Sequence, residues 1–173
     1  MRTVTYGAAC SLDGFIAGSN GEIDWLHMSP DASSVMAKYW KSVDTILMGR
    51  KTYDVAQRMG GGPPMPAITG TYVFSRTLDR VRGAELIRDD AGEFVRSLKK
   101  KPGKGICLLG GGELARSLFA EDVIDEVGLN IHPTLLGGGY PLFPDIGKRV
   151  RLELIENRTI DGGCVLASYR VVR

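Results

Sequence analysis

Three consecutive glycines, Gly110-Gly111-Gly112, constrain this chain more than any other stretch. Before them runs Gly105-Ile106-Cys107-Leu108-Leu109, short and apolar as a buried strand is. After them Leu114, Ala115, Leu118 and Phe119 recur at helical spacing. A buried strand therefore turns into a helix across the glycines. Glycine lets backbone approach a ligand closely, and a helix N-terminus offers free N–H groups to a phosphate. Gly110, Gly112 and Ala115 also fit the G-x-G-x-x-A form of a dinucleotide fingerprint, in the strand-to-helix setting it requires. A tight turn with no ligand would satisfy the same pattern.

The rest of the chain uses related devices. Residues 3–10 read as a buried strand that ends in small side chains. A polar loop rich in glycine follows, from Ser11 to Trp25, long enough to act as a lid or to tuck Phe15 and Trp25 onto the core. Ser29 and Pro30 signal a helix start. That helix runs to about Ser42, with Val35, Met36, Tyr39 and Trp40 as its apolar face. Thr45 to Met48 form a second strand, and Gly49-Arg50-Lys51-Thr52-Tyr53 opens a helix to about Arg58. Residues 60–66, Gly-Gly-Gly-Pro-Pro-Met-Pro, read as a loop. Thr71 to Phe74 make a strand ending at Ser75-Arg76, and residues 84–87 a short one. Asp90 to Lys101 predict a helix that buries Phe94, Val95 and Leu98, with Lys99-Lys100-Lys101 as its solvated end. Ile124 to Ile131 predict a strand, and residues 132–139 a loop. Two closing strands, 150–159 and 163–172, meet across Asp161-Gly162-Gly163, a hairpin signal. The expected fold is α/β: one domain over residues 1–173, with a single mixed, mostly parallel eight-stranded sheet, flanking helices and an antiparallel C-terminal hairpin.

Several classes are set aside by composition. A net charge of +2 argues for neither nucleic acid nor an anionic membrane surface. No apolar stretch approaches a membrane span. The N-terminus enters a strand directly, without a signal peptide, so the cytoplasm is the expected compartment. Cys10, Cys107 and Cys164 fall in strand segments without a C-x-x-C pair and read as small core residues. His27 and His132 have no neighbour at metal-ligand spacing, so no metal is expected.

Three strand ends carry groups that suit an anion: Gly49 to Thr52, Ser75-Arg76, and Gly110 to Gly112. Cations at a helix N-terminus oppose its dipole, and a bound phosphate would offset that. Gly49-Arg50-Lys51-Thr52 is not a P-loop, because Arg50 stands where that motif needs glycine. Arg50, Lys51 and Arg76 suit a ribose 2′-phosphate. No acidic residue follows the glycines where the unphosphorylated cofactor would favour one. NADPH is the expected cofactor.

These residues carry a family resemblance. Met48-Gly49-Arg50-Lys51-Thr52-Tyr53, Phe74-Ser75-Arg76 and Leu109-Gly110-Gly111-Gly112 resemble the three cofactor-binding segments of the dihydrofolate reductase fold. Ala8-Ala9 with Ile16-Ala17 resembles its first strand and mobile loop, and Trp25 the tryptophan closing that loop. Ser11-Leu12-Asp13-Gly14, Trp25 with Ser29-Pro30, and Ile124-Asp125-Glu126 leading into Pro133-Thr134-Leu135-Leu136-Gly137-Gly138 are similar to the reductase domain of the riboflavin-pathway deaminase–reductase. The deaminase signature, H-x-E with P-C-x-x-C, is absent. The resemblance implies NADPH-dependent reduction of a pyrimidine-like or pteridine-like heterocycle, and a homodimer.

Under that resemblance Gly49, Arg50, Lys51, Thr52, Ser75, Arg76, Gly110, Gly111, Gly112, Glu113 and Leu114 hold the cofactor, with Ala9 and Ile16 against its nicotinamide. Asp13, Trp25 and Met28 border the substrate. Asp31 is the candidate proton donor, one to two residues out of register with the dihydrofolate reductase carboxylate; it suits better a first-turn Asp on the helix dipole. Asp13 equally suits an Asx turn with Gly14. Three functions stay open: a pyrimidine reductase of riboflavin-pathway type, a pteridine reductase, and a non-catalytic protein that binds NADPH or another ligand.

Overall fold

Strands that are buried on both faces read as continuous apolar runs, and helices must cover both sides. The computed structural model, which describes residues 1–61 and 67–173, shows how this chain meets that demand. In chain order the elements are β1 (Val4–Ser11), β2 (Phe15–Ala17), α1 (Pro30–Lys41), β3 (Val43–Gly49), α2 (Arg50–Arg58), β4 (Gly70–Phe74) and β5 (Glu85–Ile87). Then come α3 (Ala91–Lys100), β6 (Gly105–Leu109), α4 (Gly112–Ala120), β7 (Glu126–His132), β8 (Tyr140–Pro141), β9 (Arg151–Ile160) and β10 (Cys164–Val172). The main sheet has eight strands in the order β5-β4-β3-β6-β1-β7-β10-β9. From β5 to β7 every pairing is parallel. β10 runs antiparallel to both β7 and β9. The expected loop at residues 60–66 lies largely outside the described residues.

Alternation along the strands divides the core into two layers. Val4, Tyr6, Leu47, Ile106 and Leu108 are buried against Val95 and Leu98 of α3 and Leu114, Leu118 and Phe119 of α4. Ile46, Met48 and Val73 point the other way, onto Tyr53 of α2 and Trp40 of α1. The ends of α1 and α3 follow sequence rules: Ser29 Oγ accepts from the Ala32 N–H at 3.0 Å, and Asp90 Oδ1 from the Glu93 N–H at 2.7 Å.

Four local expectations are corrected. Lys99 is not part of a solvated end: it is buried, and its ammonium reaches Asp125 Oδ2 at 2.6 Å and the Val123 carbonyl at 3.2 Å. Met36 is exposed, while Ala32 is the buried residue of α1, because the helix lies close over Ile160 and Cys164. β7 starts at Glu126 rather than Ile124, since Asp125 turns aside to accept from the Val4 N–H at 2.9 Å. Residues 15–17, within the expected loop after β1, pair with residues 140–141, for which no element was expected, as a second, two-stranded sheet.

Candidate functional site

Two strand-to-helix turns stand side by side at the carboxyl ends of β3 and β6. Gly110 and Gly111 adopt φ of +65° and +85°, backbone that favours glycine. A Cβ on Gly111 would lie 3.3 Å from Thr52 Oγ1 and 3.6 Å from the Gly49 nitrogen, so the first turns of α2 and α4 abut. Neither helix has a side-chain cap, unlike α1 and α3. Their free N–H groups and the positive ends of two dipoles therefore face one space.

That space is a cleft of about 1470 Å³. All thirteen residues expected to hold the cofactor line it: Ala9 and Ile16 on one wall, Gly49 to Thr52, Ser75 and Arg76 on another, and Gly110 to Leu114 on a third. Arg50 is partly neutralised by Asp54 at 3.5 Å and donates to Thr77 Oγ1 at 3.0 Å. The Lys51 ammonium sits 4.7 Å from the centre of the Tyr140 ring, a cation–π contact at the cleft edge. Arg76 contributes its carbonyl to Arg88, and among the described residues nothing pairs with its guanidinium. Ser75 Oγ is turned inward, accepting from the Thr77 and Leu78 N–H groups at 3.2 and 3.1 Å. Two uncapped N-termini with Arg50, Lys51 and Arg76 nearby fit a phosphorylated dinucleotide in charge and in donors.

Asp13, Trp25, Met28 and Asp31 are not among the residues that line the cleft. The Asp13 carboxylate accepts from Ser11 Oγ at 2.6 Å, the Leu136 N–H at 3.1 Å and the Gly137 N–H at 2.8 Å. The Ser11 bond foremost, with those amides, holds it below the usual carboxylate range. It ties the loop after β1 to the loop after β7; the Gly14 N–H goes to the Ser11 carbonyl instead of the Asp13 side chain. Trp25 meets the His132 ring edge to face, with centroids 5.4 Å apart. Met28 and Asp31 are exposed, Asp31 in the first turn of α1.

Sequence reasoning set His132 aside as a metal ligand and gave it no other role; it packs with His27, Trp25 and Cys164. A signal was present: Glu126, Gly128, Asn130 and His132 alternate with Val127, Leu129 and Ile131, so one face of β7 is polar or bare where a core strand would be apolar.

Known proteins now bear on this geometry. Residues 2–166 match the family model of the RibD C-terminal domain. The chain belongs to the RibD C-terminal domain family. Bacillus subtilis (strain 168) YyaP, an uncharacterized protein, is 38% identical over 183 residues, covering 98% of this chain and 95% of its own. A Shewanella sp. PV-4 protein named for riboflavin biosynthesis superposes with a TM-score of 0.85 at 27% identity, over 100% of both chains. Enterococcus faecalis dihydrofolate reductase, solved with NADP(H), gives a TM-score of 0.72 at 18% identity over 99% of this chain and 97% of its own. That likeness is one of fold, and the mixed eight-stranded dihydrofolate reductase-like architecture read from the sequence is the one this chain adopts.

Proposed function

We propose that this member of the family is an NADPH-dependent reductase of a pyrimidine-type substrate, resembling 5-amino-6-(5-phosphoribosylamino)uracil reductase of riboflavin biosynthesis. The observation that carries this reading is the junction of two uncapped helix N-termini at Thr52, ringed by cations, inside a cleft bounded by small residues of β1. Gly110, Gly111 and the first turns of α2 and α4 would hold the pyrophosphate, and Arg76 the 2′-phosphate. NADPH, when bound, supplies the hydride.

The chain's own part is orientation and exclusion of water. Gly7, Ala8 and Ala9 leave a flat slot on β1, and Ile16, Ile23 and Leu26 form its apolar border. The wall drawn from residues 7–26 carries no titratable side chain among its lining residues. On this reading the proton that completes the reduction comes from water, since no acid stands on that wall and Asp31 is not among the lining residues. That placement weighs against a pteridine reductase of dihydrofolate reductase type. The lack of an acid on that wall favours, as a second reading, a protein that binds NADPH without turnover.

The test is NADPH consumption, followed by absorbance, with a panel of aminouracils, pterins and quinones. The proposal expects turnover with an aminouracil. Tight NADPH binding with no turnover across the panel selects the second reading.

A further inference from the structure

Three buried polar atoms of the described residues lack a hydrogen-bond partner: Tyr39 Oη, Asn130 Oδ1 and His132 Nε2. All three belong to one layer. Asn130 and His132 are two residues apart on β7 and so share a face. The register sets Ala9 and Ser11 of β1 beside them, and Gly7 beside Gly128 one step back. Leu166 of β10 flanks Asn130 on the other side. This is the face beneath α1, whose Ala32 packs on Cys164 and Ile160, with Leu166 against them. Two turns along, the Tyr39 hydroxyl lies near Cys107 and Thr5. Gly7, Ala9 and Gly128 leave the floor of the layer almost bare.

Neighbours settle which His132 nitrogen carries the proton. The His27 N–H donates to Nδ1 at 3.3 Å, and the Cys164 thiol lies 3.4 Å from the same atom. Nδ1 is thus the acceptor and Nε2 bears hydrogen. Burial foremost, with His27 alongside, lowers the pKa and keeps the ring neutral. A buried N–H donor therefore stands one step along a strand from a buried carbonyl acceptor, both unmet. Native proteins rarely leave such groups unpaired.

We infer that Asn130 and His132 read one lactam edge, N3–H with C4=O, of the substrate's heterocycle in the adjoining cleft. Asn130 Oδ1 accepts from the ring N–H, and His132 Nε2–H donates to the neighbouring carbonyl. Ala9, Asn130's partner in register, and Leu26, next to His27, both line the cleft, so the pair neighbours residues of its wall. Trp25 and His27, in the segment from Ile23 to Met28, contact His132, so this segment would have to lift for the ring to reach Nε2. The inference rests on the reductase reading, because it places the substrate beside β1. Uracils and pterins both carry this edge, and the experiment separates them.

The experiment is calorimetric titration of the full chain, with and without NADPH, using 6-aminouracil, 6-amino-1-methyluracil, 6-amino-3-methyluracil and pterin. The 3-methyl compound lacks N3–H and keeps only the N1–H beside the C2 carbonyl, whereas the 1-methyl compound keeps N3–H with the C4 carbonyl, the edge that pterin also carries. Binding of 6-aminouracil and its 1-methyl form, with the 3-methyl form weaker by about tenfold or more, is expected. Pterin binding in place of the uracils keeps the edge and changes the source. Asn130→Leu and His132→Leu should each weaken the ligand that binds by about tenfold while NADPH affinity stays unchanged, which also shows that the variants are folded. Equal binding of the 1- and 3-methyl forms, or unchanged affinity in both variants, overturns the inference and leaves the two atoms to ordered water. So does failure of every heterocycle to bind, and intact NADPH binding would then leave the cofactor reading standing. Lactam binding without any NADPH binding removes the reductase reading and overturns the inference with it, leaving a ligand pair that serves no reduction.

Discussion

Replacing Gly111 by alanine separates the architecture of the glycine turn from its use. At φ +85° a side chain is strained wherever it points, by about 1–2 kcal/mol. The new methyl would also stand 3.3 Å from Thr52 Oγ1, which must give way slightly. For a chain of this size about 1 kcal/mol lowers Tm by roughly 2–4 °C, so Gly111→Ala should melt about 2–8 °C below the parent. Gly83→Ala is the matched control: φ is +69° and nothing lies within 4 Å of its Cβ. The two variants should therefore lose comparable stability. They should differ in nucleotide binding. The Gly111 methyl projects between the two N-termini, and losing one charge-assisted contact there costs about 1.5–3 kcal/mol, or roughly tenfold to a hundredfold in Kd. Fluorescence titration with NADPH, beside thermal melts of both variants, reads both numbers. A folded Gly111→Ala that binds NADPH as tightly as Gly83→Ala would refute the placement of a phosphate at this junction.

Other perturbations follow from single contacts. Arg76→Ala should weaken NADPH by about tenfold and leave NADH unchanged, measured by the same titration, since only NADPH carries the 2′-phosphate. Lys99→Met leaves the half-buried Asp125 with Arg173 at 3.0 Å as its remaining cation and should cost about 1–3 kcal/mol in urea unfolding. Burial alone would raise the Asp125 pKa, but Lys99, the Val4 N–H and Arg173 outweigh it and hold the carboxyl below its ordinary value. A lowered folded-state pKa stabilises above the unfolded value, about 3.9, and that contribution is lost as pH falls through the folded one. Melting profiles between about pH 6 and pH 2 should therefore show a steeper acid loss for the parent than for Asp125→Asn, and equal slopes would contradict this.

How much was legible in the sequence depends on the range of the forces involved. The parallel strands and their helices follow from local periodicity, and the glycine turns at 49 and 110–111 from backbone freedom, so the cleft walls could be read from short segments. Lys99 was misread because its partner, Asp125, lies across the α3–β7 connection, and a run of three lysines does not reveal which one turns inward. β2 and β8 pair two segments far apart in the chain, each too short for an alternating pattern. His132 was given no role for a similar reason. Its neighbours His27, Trp25 and Cys164 come from three distant segments, and only the bare, polar alternation of β7 announces the face they share.

The central claim is that the cleft between β1, β3 and β6 holds a 2′-phosphorylated dinucleotide. The direct measurement is a parallel titration of the unmodified chain with NADPH and NADH, followed by nucleotide fluorescence. Saturable NADPH binding in the micromolar range is expected, with NADH weaker by about tenfold or more. Binding of neither nucleotide contradicts it, and the paired glycine turns would then be architecture alone.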